Sequence, residues 1–141
     1  MKQNLILASI ITVIGSMSLA ATQIKCKAQI ANRCDNPSVI TLVAKYSSST
    51  GELTYKINNK GGGCFPVEST TTGLGLETSN SDSIKKFKLT DQTRKFQGLP
   101  DTNITPSEQV HSALTLDLVN HYAELTSTNS VKVPMQCVIV N

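Results

Sequence analysis

Val39-Ile40-Thr41-Leu42-Val43-Ala44-Lys45-Tyr46 is followed by Ser47-Ser48-Ser49-Thr50-Gly51 and then by Glu52-Leu53-Thr54-Tyr55-Lys56-Ile57. Ile40, Leu42, Ala44 and Tyr46 share one face of the first run. Leu53, Tyr55 and Ile57 alternate with Thr54 and Lys56 in the second. Period two is the signature of a half-buried strand, and two such runs across a short Gly-containing turn predict a β-hairpin. The neighbouring segments can be read outward from this hairpin.

Upstream, residues 23–30 alternate in the same way. Ile24, Cys26, Ala28 and Ile30 face one side, and Lys25, Lys27 and Gln29 the other. Residues 32–38 hold Asn36-Pro37 and read as a turn carrying Cys34. At the far end Val131, Val133, Met135, Cys137 and Ile139 share a face. Pro134 cannot donate a ladder hydrogen bond, which predicts an edge position for this strand. Downstream of the hairpin, Gly61-Gly62-Gly63 precedes Cys64. A glycine run can build an anion-binding nest. Here no Lys-Ser/Thr follows at P-loop spacing, so a loop tethered by Cys64 is the expected structure.

Residues 69–83 are mostly Ser, Thr, Asn, Asp and Gly, and are expected to form a long surface loop with at most a short strand near 74–76. Residues 84–89 alternate as a short strand, with Phe87 and Leu89 on one face with Lys85. A turn is expected at 91–93, and loop over 97–106. Residues 106–125 suit two structures. Thr105-Pro106-Ser107-Glu108 is a capping box with Pro at the first helical position, and Val110, Leu114, Leu118, Tyr122 and Leu125 would make a helical stripe. The alternation Leu114-Thr115-Leu116-Asp117-Leu118 and the β-branched Thr115 and Val119 favour strand.

The chain has 141 residues, 16% of them charged and 4% aromatic, which is one domain's worth. So little charge excludes a long coiled coil or a charged disordered tail. The apolar run 5–19 after Lys2 is too short and too interrupted to span a bilayer, and Ser18 and Ala20 fit a cleavage site. Residues 1–20 are therefore expected to be a cleaved signal peptide and 21–141 a single β domain, secreted or periplasmic. Loss of Lys2 lowers the formal charge of +3 by one. That balance does not point to nucleic acid, and no transmembrane segment is expected in the mature chain.

Cys26, Cys34, Cys64 and Cys137 form an even set in an exported chain, so two disulfides are expected. Zinc is disfavoured because no close C-x2-C pair is present. Three pairings are open. Matching like environments joins Cys26 to Cys137, both inward on strands, and Cys34 to Cys64, both in loops. The bridges are expected to add stability to a core that is already large enough to fold.

Catalytic chemistry is hard to find. His111 and His121 lie too far apart on a strand, and too far around a helix, to share an ion. No Ser sits in G-x-S-x-G, the carboxylates are scattered singly, and oxidised cysteines cannot serve as nucleophiles. Asp117 and His121 at spacing i,i+4 read as a surface contact. No cofactor motif is legible. Asn103-Ile104-Thr105 matches a glycosylation triplet, with Pro106 behind it working against its use. The main charged feature is Lys85, Lys86, Lys88, Arg94 and Lys95, interleaved with Phe87 and Phe96. It suits an anionic partner, a protein face or a surface polymer. The competing reading is a solvated strand whose lysines discourage edge-to-edge pairing.

The expected fold is thus mainly β, a small antiparallel β-sandwich with two disulfides, and a helix near 106–125 as the alternative to a strand there. The expected function is non-catalytic binding by an exported protein, inhibitor-like or host-directed. A structural or adhesive cell-surface subunit comes second, and a small secreted hydrolase third.

Overall fold

The computed structural model describes residues 21–31, 34–64, 67–81 and 83–140, without the side chain of residue 80. The expected signal peptide, 1–20, lies outside the described residues. Among the described residues nine strands follow in order: β1 (Ala21–Ile30), β2 (Ser38–Ser47), β3 (Glu52–Lys60), β4 (Glu68–Asn80), β5 (Ile84–Phe96), β6 (Thr102–Asn103), β7 (His111–Asp117), β8 (Tyr122–Ser127) and β9 (Lys132–Val140). A 3-10 turn, Pro106–Glu108, precedes β7.

These strands form one sheet, not the two packed sheets of a sandwich. Each long strand pairs antiparallel with the next, β4 also pairs with β5, and β9 returns to pair with β1. Eight strands therefore close into an up-and-down barrel, with β6 added beside β5. Alternation alone does not distinguish barrel from sandwich, because both bury every second residue. Only the pairing of first strand with last does so.

The hairpin 39–57 is present, with Leu42↔Ile57, Ala44↔Tyr55 and Tyr46↔Leu53 in register. Its turn closes with the Gly51 N–H donating to the Ser47 carbonyl at 2.9 Å, and Gly51 takes φ 72°, which glycine adopts without a Cβ clash. The inward residues fill the barrel. Ile24, Leu42, Leu53, Phe87, Leu114, Leu116 and Met135 are among the fully buried side chains. An eight-stranded barrel has an interior about wide enough for its own side chains. Tyr46 and Phe87 meet edge to face at 5.3 Å between ring centres.

β4 overturns the expected loop over 69–80, while residue 82 of that expected loop lies outside the described residues. The strand runs thirteen residues, with Thr71, Gly73 and Gly75 pointing inward. The stretch has few large apolar residues because its neighbours supply them. A Cβ on Gly73 would stand 2.3 Å from the Thr90 carbonyl oxygen and 2.3 Å from the Tyr55 hydroxyl. Gly73→Ala is therefore expected to cost about 3 kcal/mol. Gly75→Ala meets only Leu89 and Leu53 side-chain atoms at 3.0–3.3 Å and should cost less. Urea titration of both variants would check that order, and equal costs would contradict it.

The turn expected at 91–93 is also absent, because β5 continues through it with one extra residue. Thr72↔Thr93 and Gly73↔Asp91 are paired, which leaves Gln92 as a bulge. Residues 106–125 form no helix. Glu108 Oε1 accepts from the Thr105 N–H at 3.1 Å and from its hydroxyl at 2.6 Å, so the capping box is built, but it closes a single turn. β7 and β8 follow as a hairpin with Leu114↔Leu125 and Leu116↔Ala123 in register. β9 is not an edge strand, since it pairs with β1 and β8. Pro134 is tolerated because the β1–β9 ladder reaches only Lys27↔Gln136, so Pro134 is laddered on the β8 side alone.

Both disulfides are formed in the pairing that matched like environments. Cys26–Cys137 crosses directly between β1 and β9, whose Cα atoms are 4.0 Å apart there, and Cys34–Cys64 ties two loops. Disulfides, and the lack among the described residues of any helix long and apolar enough to cross a membrane, are compatible with a periplasmic or extracellular protein.

Candidate functional site

The barrel presents two distinct places for recognition, its outer wall and one of its mouths. The basic residues of β5 fall on the wall, at that mouth and at the opposite end of the barrel. Lys86 and Lys88 point outward before the bulge, and Lys95 points outward after it, beside Thr70. Lys85, opposite Leu116, is half-buried at the rim of the barrel. The bulge at Gln92 reverses the facing of the later β5 residues, so Arg94 sits opposite the buried Thr71, on the inner side. The five basic residues thus do not form one patch.

Topology adds cations that the sequence cluster did not contain. Lys25 and Lys27 on β1, Lys45 on β2 and Lys56 on β3 are all exposed at outward positions. With Lys86, Lys88 and Lys95 they run round five of the eight strands of the closed barrel, with Lys25 and Lys27 on the side across from β5. Glu52 and Glu68 are the acidic residues on those same outer faces among the described residues. Grooves in this wall include two that are lined by its lysines and by residues of β4. One, of about 580 Å³, is lined by Lys56, Lys95, Thr70, Thr72 and Thr93, with Glu68 and Asp101 at its border. The other, of about 350 Å³, holds Lys88 beside the exposed Leu74 and Leu76. Strand alternation was the signal for these lysines. Each of Lys25, Lys27, Lys45 and Lys56 occupies the outward phase of a run already recognised.

The mouth lies at the end of the barrel that carries residues 34–37, 61–64 and 97–110. Beneath it is Asp91, a carboxylate only 1% exposed. Its Oδ1 accepts from the Tyr55 hydroxyl at 2.6 Å and pairs with His111 Nδ1 at 3.0 Å. Its Oδ2 accepts from the Val110 and His111 N–H groups, both at 2.9 Å. Burial acts to raise the Asp91 pKa. Hydrogen bonds from the His111 ring, Tyr55 and the two backbone N–H groups outweigh it and hold the carboxyl well below the ordinary range. Burial and the Asp91 carboxylate push the Tyr55 phenol far up.

This cluster also repairs the ladder between β5 and β7, which ends at Lys88↔Ala113. The Gln109 side-chain amide takes the place of a strand residue there. Its Oε1 accepts from the Asp91 N–H and its Nε2 donates to the Asp91 carbonyl, both at 2.7 Å. At the opposite end, the Tyr46 hydroxyl donates to Glu77, and burial followed by that carboxylate pushes the Tyr46 pKa up to about 12.

His111 is therefore a packed histidine, and His121 lies exposed in the β7–β8 turn with φ 53°. Asp117 serves that turn instead of pairing with His121. Its carboxylate accepts from the Val119 and Asn120 N–H groups and from Asn120 Nδ2 at 2.8–3.1 Å, and the backbone and side chain of Asn120 lower its pKa. The glycine run is not an open nest. Gly61, Gly62 and Gly63 donate to the Val67 carbonyl, Ser38 Oγ and the Asn36 carbonyl. No group of three or more metal-ligating side chains is present among the described residues.

Fold and site define a small disulfide-closed, up-and-down β-barrel with a basic wall. Compared with protein-family models, curated proteins and solved structures, the chain matches none.

Proposed function

We propose that the chain is an exported, non-catalytic binding protein whose lysine wall engages an anionic surface polymer. The observation that carries this reading is the set of exposed lysines on the outer face of β3–β5, Lys56, Lys86, Lys88 and Lys95, three of which line two grooves. Lys86 and Lys95 alone are separated by roughly 30 Å at about 3.3 Å per residue. Charge distributed over that length suits an extended chain better than a compact ligand, and it attracts at long range in low salt. Closure of the barrel supports a binding protein over a subunit that assembles by strand addition, because it removes the edges such assembly needs.

The test is titration of the oxidised protein with polyphosphate, an extended polyanion without sugar rings, at low and high salt. Binding should weaken steeply as salt rises. Charge reversal at Lys86 and Lys88 should weaken it at least about tenfold, or about 1.4 kcal/mol, at low salt. Unchanged affinity in that variant would remove the wall as the site. Binding instead to acidic proteins, with none to the polymer, would reassign the partner.

A further inference from the structure

The mouth above Asp91 contains a cavity of about 220 Å³, separate from the outer wall. Six of its residues bear on what it would hold: Asn59, Ser69, Thr71, Arg94, Phe96 and His111. We propose that this cavity binds a monosaccharide-sized acidic sugar, a hydroxylated ring bearing one carboxylate.

Arg94 supplies the cation. One of its guanidinium nitrogens donates to the Glu108 carbonyl at 3.3 Å, which anchors the fork at the rim, where its charge also acts on the Glu108 carboxylate, and four further N–H groups belong to the same fork. Phe96, 41% exposed, sits one inward position further along β5. An exposed aromatic face at a cavity rim suits the apolar C–H face of a pyranose ring. Asn59, Ser69 and Thr71 offer amide and hydroxyl groups that both donate and accept, as sugar hydroxyls require.

His111 completes the set. Its Nδ1 is committed to the Asp91 carboxylate, and its backbone N–H is held by the same residue. In the neutral ring this leaves Nε2 as an acceptor for a ligand hydroxyl. Two of the four bonds to Asp91 come from His111, one from its ring and one from its backbone, and hold it before any ligand arrives, so little ordering cost remains on binding. A plain inorganic anion would use Arg94 and leave Phe96 and the hydroxyls without purpose. A neutral sugar would leave Arg94 unused.

The experiment is ¹H–¹⁵N NMR of the oxidised protein titrated separately with glucuronate, glucose and acetate. Glucuronate should shift the resonances of Ser69, Thr71, Arg94, Phe96 and His111 with a Kd of about 1 mM, as ligand size allows. Glucose and acetate, each lacking one half of the recognition, should bind at least about tenfold more weakly. Arg94→Gln and Phe96→Ala change side chains that are not fully buried, so they should fold. Each should weaken glucuronate at least about fivefold and leave the binding of polyphosphate, a polyanion with no sugar ring, to the wall unchanged. The proposal is overturned by acetate or glucose binding as well as glucuronate, by shifts confined to the outer wall, or by no shift at about 10 mM glucuronate.

Discussion

Asp91→Ala is expected to destabilise the barrel by about 3–5 kcal/mol, the largest effect of any single substitution proposed for this chain. The carboxylate satisfies two backbone N–H groups, a buried phenol and an imidazole. Alanine leaves those donors without partners and opens a void beneath the mouth. Asp91→Asn should also destabilise, because an NH2 group must face at least one of these donors. Tyr55→Phe removes one donor only and should cost about 1–2 kcal/mol.

The pH dependence has a definite sign. The Asp91 carboxyl is held below its unfolded value of about 3.9, so its stabilisation is full above that pH and is lost as pH falls through the folded value. Wild-type stability should therefore fall on acidification below about pH 4, and Asp91→Asn should flatten that fall. Chemical denaturation at pH 7 and pH 3 measures both. An Asp91→Ala variant within about 1 kcal/mol of wild type would show that the loop 97–110 re-pairs without it.

The second large effect concerns the disulfides. Cys26–Cys137 spans 111 residues and Cys34–Cys64 spans 30. In the chain-entropy account these loops correspond to about 4.8 and about 3.7 kcal/mol. The double variants Cys26→Ala/Cys137→Ala and Cys34→Ala/Cys64→Ala should both still fold, with the first less stable by about 1 kcal/mol and carrying an added loss from its buried sulfurs. Urea midpoints with m-values, compared at equal temperature, decide the order. The reverse order would place the main contribution in the native loops.

Much of the fold is written in residue alternation. Ile24, Cys26 and Ala28 are buried as their phase requires, and so are Leu42, Ala44, Tyr46, Leu53, Tyr55 and Ile57. The failures share a cause, which is that the missing information is held by a different strand. Residues 69–83 look like a loop until Tyr55 and Leu53 are placed against Gly73 and Gly75. Asp91 looks like a turn residue until Tyr55, Val110 and His111 are brought to it from 36, 19 and 20 positions away. The outward phase of Lys86 and Lys88 was legible. The reversal of Arg94 was not, because a one-residue bulge flips every later side chain and nothing local marks Gln92 as the extra residue.

The bridge between first and last strand also governs how the molecule would answer a mechanical pull. Gln23 and Val140 lie opposite each other, so both ends of the described chain leave from one seam. A tension applied there would peel the few residues outside Cys26 and Cys137 and then meet a covalent bond. The 111-residue span inside the bridge, roughly 350–400 Å if drawn out, would carry none of the load while that bond held. Tethered by its ends in an oxidising environment, the barrel would behave as a short inextensible link, and reduction of one bond would turn it into a long extensible one.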